Sequence, residues 1–154
     1  MGNEINRIVK QFEAMQHGDC WIGTNFKELL QGVDHKMAMA RVEEKANSIW
    51  MLVGHITYWR TAVVNRLTGS DNPPPFSDFY LPDEANTENW HQALHDFEAA
   101  YHLLRNALHH FNEDNLHKHS VKKEQTNYEL IMGCLQHDAY HFGQLMLLKK
   151  LLAT

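Results

Sequence analysis

The chain has 154 residues, of which 44% are hydrophobic and 21% charged, and it carries a formal net charge of −5. We expect one globular domain over residues 1–154. No basic stripe favours nucleic acid as a partner, and no apolar run approaches the roughly 18 residues of a membrane span. The start lacks a signal-peptide apolar segment, and Cys20 and Cys134 make no disulfide framework, so we predict a cytoplasmic protein.

The first part of the chain predicts one long helix followed by two short ones. A 3.6-residue apolar rhythm runs from Asn3 to Gln16. Asn25 and Asp34 can each cap a short helix, because their side chains accept hydrogen bonds from free backbone N–H groups. The second short helix should continue as far as Val42. Both short helices are expected to be packing pieces in a long connection.

The second long helix is predicted to begin after Ser48 and to reach about Thr68. Its inner stripe consists of Leu52, His55, Trp59, Ala62 and Val63. Prolines then exclude a helix from residues 70–85. Loops of this length are often functional, so this one is a candidate for shaping the entrance to a site; a plain crossover connection is an equally favoured alternative. The loop's candidate apolar contacts are Phe76, Phe79 and Tyr80.

Two further long helices complete the pattern. Thr87 is predicted to cap the third helix, whose apolar stripe reaches Phe111, and the fourth helix should extend from about Lys123 to Leu152. Four amphipathic helices can bury their apolar faces only against one another. The predicted fold class is therefore an all-α four-helix bundle, whose core is a common place for a metal site.

A pair of histidines in the fourth helix is the most informative feature of the sequence. His137 and His141 interrupt the apolar stripe four residues apart, which is about 400° of helix rotation, so both imidazoles leave the same face. His55 lies mid-way along the inner stripe of the second helix. Three histidines on two packed helices leave coordination positions free for water or substrate, which is typical of a catalytic metal site. We therefore predict His55, His137 and His141 as ligands of a divalent metal ion.

The other histidines are weaker candidates, although the chain has 12 in all. A single histidine on an apolar face is usually a hydrogen-bonded core residue. Two buried neutral imidazoles need hydrogen-bond partners for both nitrogens of each ring, and each nitrogen left unpaired costs about 1–3 kcal/mol of stability. His91 and His95 share the four-residue spacing, but they lie one position off the core stripe and should face water. His102 and His109 continue that edge. The last group, a weak metal-binding candidate without fixed geometry, consists of His109, His110, His117 and His119.

Three residues near the predicted ligands have open alternatives. Cys134 lies on the same stripe as His137 and could approach the metal, although filling core space is the more common role of a buried cysteine. Gln144 could hold a hydrogen bond to a ligand or face the cavity. Asp138 is poorly aligned for ligation, but it could orient a histidine from a neighbouring turn.

Sequence motifs of several other chemistries are missing. The chain has no phosphate-binding Gly-x-x-x-x-Gly-Lys, no Gly-x-Ser-x-Gly and no Cys-x-x-Cys. The fourth helix also has no His-Glu-x-x-His, because Asp138 stands where the metalloprotease glutamate would be. The repeated Glu-x-x-His of a di-iron bundle is absent as well.

Two stretches of the chain resemble the DinB superfamily of four-helix-bundle metalloproteins. They are SIWMLVGHITYWR at residues 48–60 and QHDAYHFGQ at residues 136–144, and the resemblance extends over nearly the whole chain. It implies an up-down-down-up order of helices and a divalent metal ion, often nickel or zinc, on the matching His55, His137 and His141. It also implies frequent homodimers. Characterised relatives include hydrolases and transferases or isomerases that use low-molecular-weight thiols.

We therefore predict a metal-dependent enzyme that acts on a small molecule. A metal that lowers the pKa of a bound water would give a hydrolase, and one that lowers the pKa of a thiol would give a thiol-dependent S-transferase. The alternative is a non-catalytic metal-binding protein with a stress or interaction role. An open coordination position favours the enzyme, whereas a site capped by Cys134 favours the alternative.

Overall fold

A computed structural model describes residues 3–153, so that Met1, Gly2 and Thr154 lie outside the described residues. This part of the chain is all-α and contains no β-strand, which confirms the predicted fold class. A short 3₁₀ helix, Glu113–Asn115, precedes the last helix. The α-helices are α1 (Glu4–His17), α2 (Phe26–Leu30), α3 (His35–Met39), α4 (Ile49–Leu67), α5 (Thr87–His110) and α6 (Asn127–Leu152).

Every α-helix begins after a residue whose side chain accepts a hydrogen bond from the first turn. Such a cap satisfies a backbone N–H that has no partner within the helix, and it stabilises the helix by about 1 kcal/mol. At α6 the cap is reciprocal, because Glu129 also accepts from the backbone N–H of Thr126. The capping residues are Asn3, Asn25, Asp34, Ser48, Asn86 and Thr126.

Three helix boundaries differ from the sequence-based prediction. Asn86, and not Thr87, caps α5, since its Oδ1 accepts from the Asn89 N–H at 2.8 Å. The fourth long helix begins four residues later than Lys123, which has a positive φ of 61° and lies in a turn. The second short helix ends at Met39, so Val42 lies outside it and is 41% exposed.

The core consists of two clusters of buried apolar side chains. In one cluster the first half of α4 meets α5 and the second half of α6, and α2 and α3 pack over them, as expected for short packing pieces. Its largest members are Phe26, Trp50, Trp90, Phe97 and Phe142. The other cluster joins α1 to the second halves of α4 and α5 and to the start of α6. Among residues 3–153, no helix is both long and apolar enough to cross a membrane.

The connection between α4 and α5 crosses the bundle surface as a long loop, as predicted for residues 70–85. Trp50 and Trp90, near the beginnings of the two helices, have ring centroids 5.0 Å apart. The chain therefore has to return along the length of α4, about 28 Å at the usual rise per residue, before α5 begins. These contacts are those expected of the up-down-down-up order, which stays a prediction.

A buried ion pair ties α4 to α6 inside the core. The Arg60 Nη2 lies 2.9 Å from the Asp138 Oδ2, and the side chains are 1% and 0% exposed. The Arg60 Nε also donates to the same oxygen at 3.0 Å. The guanidinium lies 5.2 Å and 4.6 Å from the ring centroids of Phe26 and Phe97. Burial raises the pKa of the Asp138 carboxyl, and the guanidinium opposes that rise.

We expect Asp138→Ala to lower the free energy of unfolding by about 3–5 kcal/mol, because it leaves the Arg60 guanidinium buried without its counter-charge. Urea denaturation followed by circular dichroism measures this loss. The double variant Arg60→Met/Asp138→Leu should lose less than the single variant, since both charges are removed together. The surface control Asp114→Ala should change stability by no more than about 0.5 kcal/mol. A loss below about 1 kcal/mol for Asp138→Ala would contradict this account of the pair.

Candidate metal centre

Three histidines from two helices meet at one point of the bundle. His55 comes from α4, and His137 and His141 come from α6. The Nε2 of His137 lies 3.0 Å from that of His55 and 3.1 Å from that of His141. One nitrogen from each ring lies within 4.8 Å of the other two, and the three could together hold a metal ion. The structure thus brings together the three residues that the sequence singled out.

Two of the rings are held by hydrogen bonds at their other nitrogen. The Nδ1 of His55 lies 2.6 Å from the Asp78 Oδ1, and the Nδ1 of His141 lies 2.6 Å from the Gln144 Oε1. The Gln144 Nε2 donates to the Tyr140 hydroxyl at 3.2 Å, which leaves its Oε1 for the ring. Because both acceptors are oxygens, the protons of His55 and His141 belong on Nδ1, and each Nε2 presents a lone pair.

This arrangement places too many acceptors around one point. The Nε2 of His137 can carry at most one proton, and it can donate that proton to only one of its two neighbours. At most one of the two contacts of the His137 Nε2 can therefore be a hydrogen bond, and at least one of the converging lone pairs has no donor. A cation removes the conflict. Metal–nitrogen bonds of about 2.0–2.1 Å in tetrahedral geometry separate the ligands by about 3.3 Å, close to the observed 3.0 and 3.1 Å.

Burial keeps the rings on α6 in the form that binds metals. Desolvation is the largest cause of a fall in the pKa of His137 to about 4, and the neighbouring His141 and His55 lower it further. Desolvation also lowers the pKa of His141. At neutral pH both imidazoles are therefore neutral, as metal ligation requires.

The loop between α4 and α5 contributes directly to this centre through residues 75–82, which we call the strap. The Phe79 ring stacks on His55, with centroids 3.9 Å apart and an interplanar angle of 15°. Phe79 has a φ of 51°, a conformation that costs a bulky residue about 1–3 kcal/mol. Its N–H donates to the Asp78 Oδ1 at 2.9 Å. The strap therefore holds a strained residue against the ring of His55.

Aromatic side chains surround the three histidines without enclosing them. The Trp59 ring centroid lies 6.3 Å from that of His55 and 6.0 Å from that of His137. Tyr140 is 64% exposed, and its ring centroid lies 4.9 Å from that of His141. The centre thus lies just below the surface, beside the exposed Tyr140.

Asp78 is the residue of the centre that the sequence reasoning missed. A signal was present, since ligating histidines usually donate their second N–H to a carboxylate or a carbonyl. Asp78 lies in the loop that was already a candidate for shaping the site. Of the loop's predicted apolar contact residues, Phe79 contacts His55, whereas Phe76 packs against Tyr58.

The alternatives at Gln144, Asp138 and Cys134 are resolved by their contacts. Gln144 forms a hydrogen bond to the His141 ring, which is one of the two roles predicted for it. Asp138 orients no histidine: its partner is Arg60, because only a fixed cation offsets the burial of that carboxylate. Cys134 lies in the apolar core and is not part of the histidine group. Burial raises the pKa of its thiol well above the usual range.

The other spaced pair of histidines lies on the surface, as predicted. His91 and His95 are exposed on α5, and no further group of three metal-binding side chains occurs within residues 3–153. The remaining histidines that were considered are exposed as well: His102, His109, His110, His117 and His119.

Comparison with known proteins adds one finding. The family model of the DinB superfamily matches residues 22–145, which is most of the chain. No curated protein and no solved structure shows a significant similarity to it. The chain therefore belongs to the DinB superfamily.

Proposed function

We propose that this member of the DinB superfamily is a metal-dependent enzyme whose divalent ion is held by His55, His137 and His141. The observation that carries the proposal is the convergence of three Nε2 atoms, of which those of His55 and His141 both lie within hydrogen-bond distance of that of His137. Three neutral imidazoles would leave the full charge of the ion in place and coordination positions free. Nickel and zinc are the proposed ions, since imidazole suits both.

The ion, when bound, would supply Lewis acidity that makes a water or a thiol nucleophilic near neutral pH. Asp78 and Gln144 would keep the Nδ1 protons of two ligands in place and so fix their rings. Trp59 and Phe79 would exclude water from two sides of the centre. We propose a small-molecule substrate and either hydrolysis or thiol-dependent S-transfer, with a homodimer as the assembly.

The position of Cys134 favours the enzyme over the non-catalytic alternative. A side chain that closes the remaining coordination position would make the site structural. Cys134 was the candidate for that role, and it is buried in the core away from the histidine group. Nothing else among residues 3–153 joins that group as a fourth side chain of the ligating kinds.

The ligand set is tested by metal content. Protein loaded with zinc or nickel and then dialysed should retain about one ion per chain, and His137→Ala should retain little, because two imidazoles alone bind weakly. Elemental analysis measures the content. The control is His95→Ala, which removes an exposed histidine of the other spaced pair, His91 and His95, and it should match the wild type. Equal content in the wild type and in His137→Ala would remove the ligand assignment.

Asp78 is tested by the affinity of the metal. Asp78→Asn keeps the shape of the side chain but removes the charge that holds the His55 N–H, so we expect the affinity to fall about 10–100-fold. Competition with a chromogenic chelator measures it. The control is Asp83→Asn, a change at an exposed aspartate nearby in the same loop, which should bind like the wild type. An unchanged affinity in Asp78→Asn would show that the contact has no role in ligation.

The reaction is tested by a paired activity screen. Metal-loaded protein is offered esters, amides and electrophiles, each with and without a low-molecular-weight thiol, and His137→Ala is assayed in parallel. We expect turnover by the wild type that the variant lacks. Turnover only with thiol identifies S-transfer, and turnover without it identifies hydrolysis. A fully loaded protein that turns over nothing would favour the non-catalytic alternative.

A further inference from the structure

A groove lies between α4, α5 and the strap, on a face of α4 that does not include His55. Its volume is about 550 Å³, within the range of small-molecule sites. None of the three histidines lines it. Glycine and alanine residues of α4 and α5 leave the space open, and aromatic residues of α4 and the strap form much of the wall. These residues are Gly54, Ala93, Ala99 and Ala100, with Trp50, Phe76 and Tyr80.

We infer that this groove binds a small apolar molecule that carries an ammonium group. The lining contains the carboxylate of Asp96 and no lysine, arginine or histidine. The Asp96 Oδ1 accepts from the Gln92 Nε2 at 2.8 Å, which leaves Oδ2 for a ligand cation. His95 approaches Oδ1 only at 3.6 Å, from outside the lining. The charge of the groove therefore complements a cation.

Three uncharged polar residues of the lining can accept a hydrogen bond from a ligand. Thr57 donates its hydroxyl proton to the Val53 carbonyl at 2.8 Å, and Thr61 donates to the Thr57 carbonyl at 2.9 Å. Both hydroxyls therefore offer only lone pairs to the groove. Asn89 uses an Nδ2 proton on the Glu84 carbonyl at 2.8 Å, which leaves its Oδ1 as an acceptor. An ammonium group has donors and no acceptor, and it fits these three acceptors.

Apolar side chains at the groove remain exposed to solvent, and a ligand would cover them. Phe76 is 39% exposed, Tyr80 51% and Leu103 53%. The faces of Phe76 and Tyr80 can also attract a cation through their ring electrons. An aryl or alkyl group would occupy the small-residue floor, while the ammonium group would lie towards Asp96.

Binding of 2-phenylethylammonium tests the groove, and phenylacetate serves as its anionic counterpart of similar size. Titrations of the full chain in its metal-free form, followed by amide chemical shifts, keep the test independent of the metal site. We expect saturable shifts in α4 and α5 around the groove with the ammonium compound. Phenylacetate should bind about tenfold more weakly, because it replaces an attraction to Asp96 with a repulsion.

Two variants separate the charge of the groove from its volume. Asp96→Asn should weaken binding of the ammonium compound about two- to fivefold, as expected for an exposed ion pair. Ala99→Leu should abolish binding by filling the space. Asp114→Asn, a change at an exposed aspartate outside the lining, is the control and should bind like the wild type. Equal binding of phenylacetate, full binding by Ala99→Leu, or no saturable binding of the ammonium compound would overturn the inference.

Discussion

Three imidazole nitrogens that face one another inside a helical bundle set the main physical constraint on this molecule. Two of the rings are anchored at Nδ1, so their lone pairs point at the same space, and the ring of His137 cannot satisfy both of them. Such an arrangement is unfavourable unless a positive charge lies among the nitrogens. The surrounding fold therefore has to hold the rings together against their own repulsion.

The buried ion pair is well placed to supply part of this restraint. Asp138 directly follows His137 on α6, and Arg60 lies little more than one turn after His55 on α4. Because both charges are buried, any slip of one helix along the other would separate them at a large cost in free energy. The pair thus favours the one register of α4 and α6 in which the three histidines meet. A buried charge pair is poorly explained as a source of stability alone, but it suits a role in specifying register.

The parts of the fold that the sequence could predict are those with local signals. Helix caps and apolar periodicity predicted where five of the six helices begin to within about one residue, because Asn25, Asp34 and Ser48 act on the residues that directly follow them. The start of α6 was misplaced, since the turn at Lys123 depends on the pairing of His119 with Thr126.

The pair His137 and His141 could be predicted for the same reason, since a spacing of four on one helix is a local pattern. His55 was identified by its place on the inner stripe of α4 and by the family resemblance. The partners of His55 and Asp138 could not be predicted. Asp78 lies 23 residues after His55 in the chain, and Arg60 lies 78 residues before Asp138. Nothing in the spacing of either pair marks a contact, because only the packed bundle brings them together.

The strap lies between the histidine cluster and the proposed ligand groove, because its residues face in two directions. Asp78 and Phe79 contact His55, while Pro75, Phe76, Tyr80 and Pro82 line the groove. A methyl group added at Gly54, next to His55, would meet the Tyr80 backbone at 3.5 Å, so the strap lies directly against α4 there. A ligand that shifted the groove side of so short a segment would also change the free energy of the contacts on the histidine side. By thermodynamic linkage, an ion held by His55 would then change the affinity of the groove by the same factor.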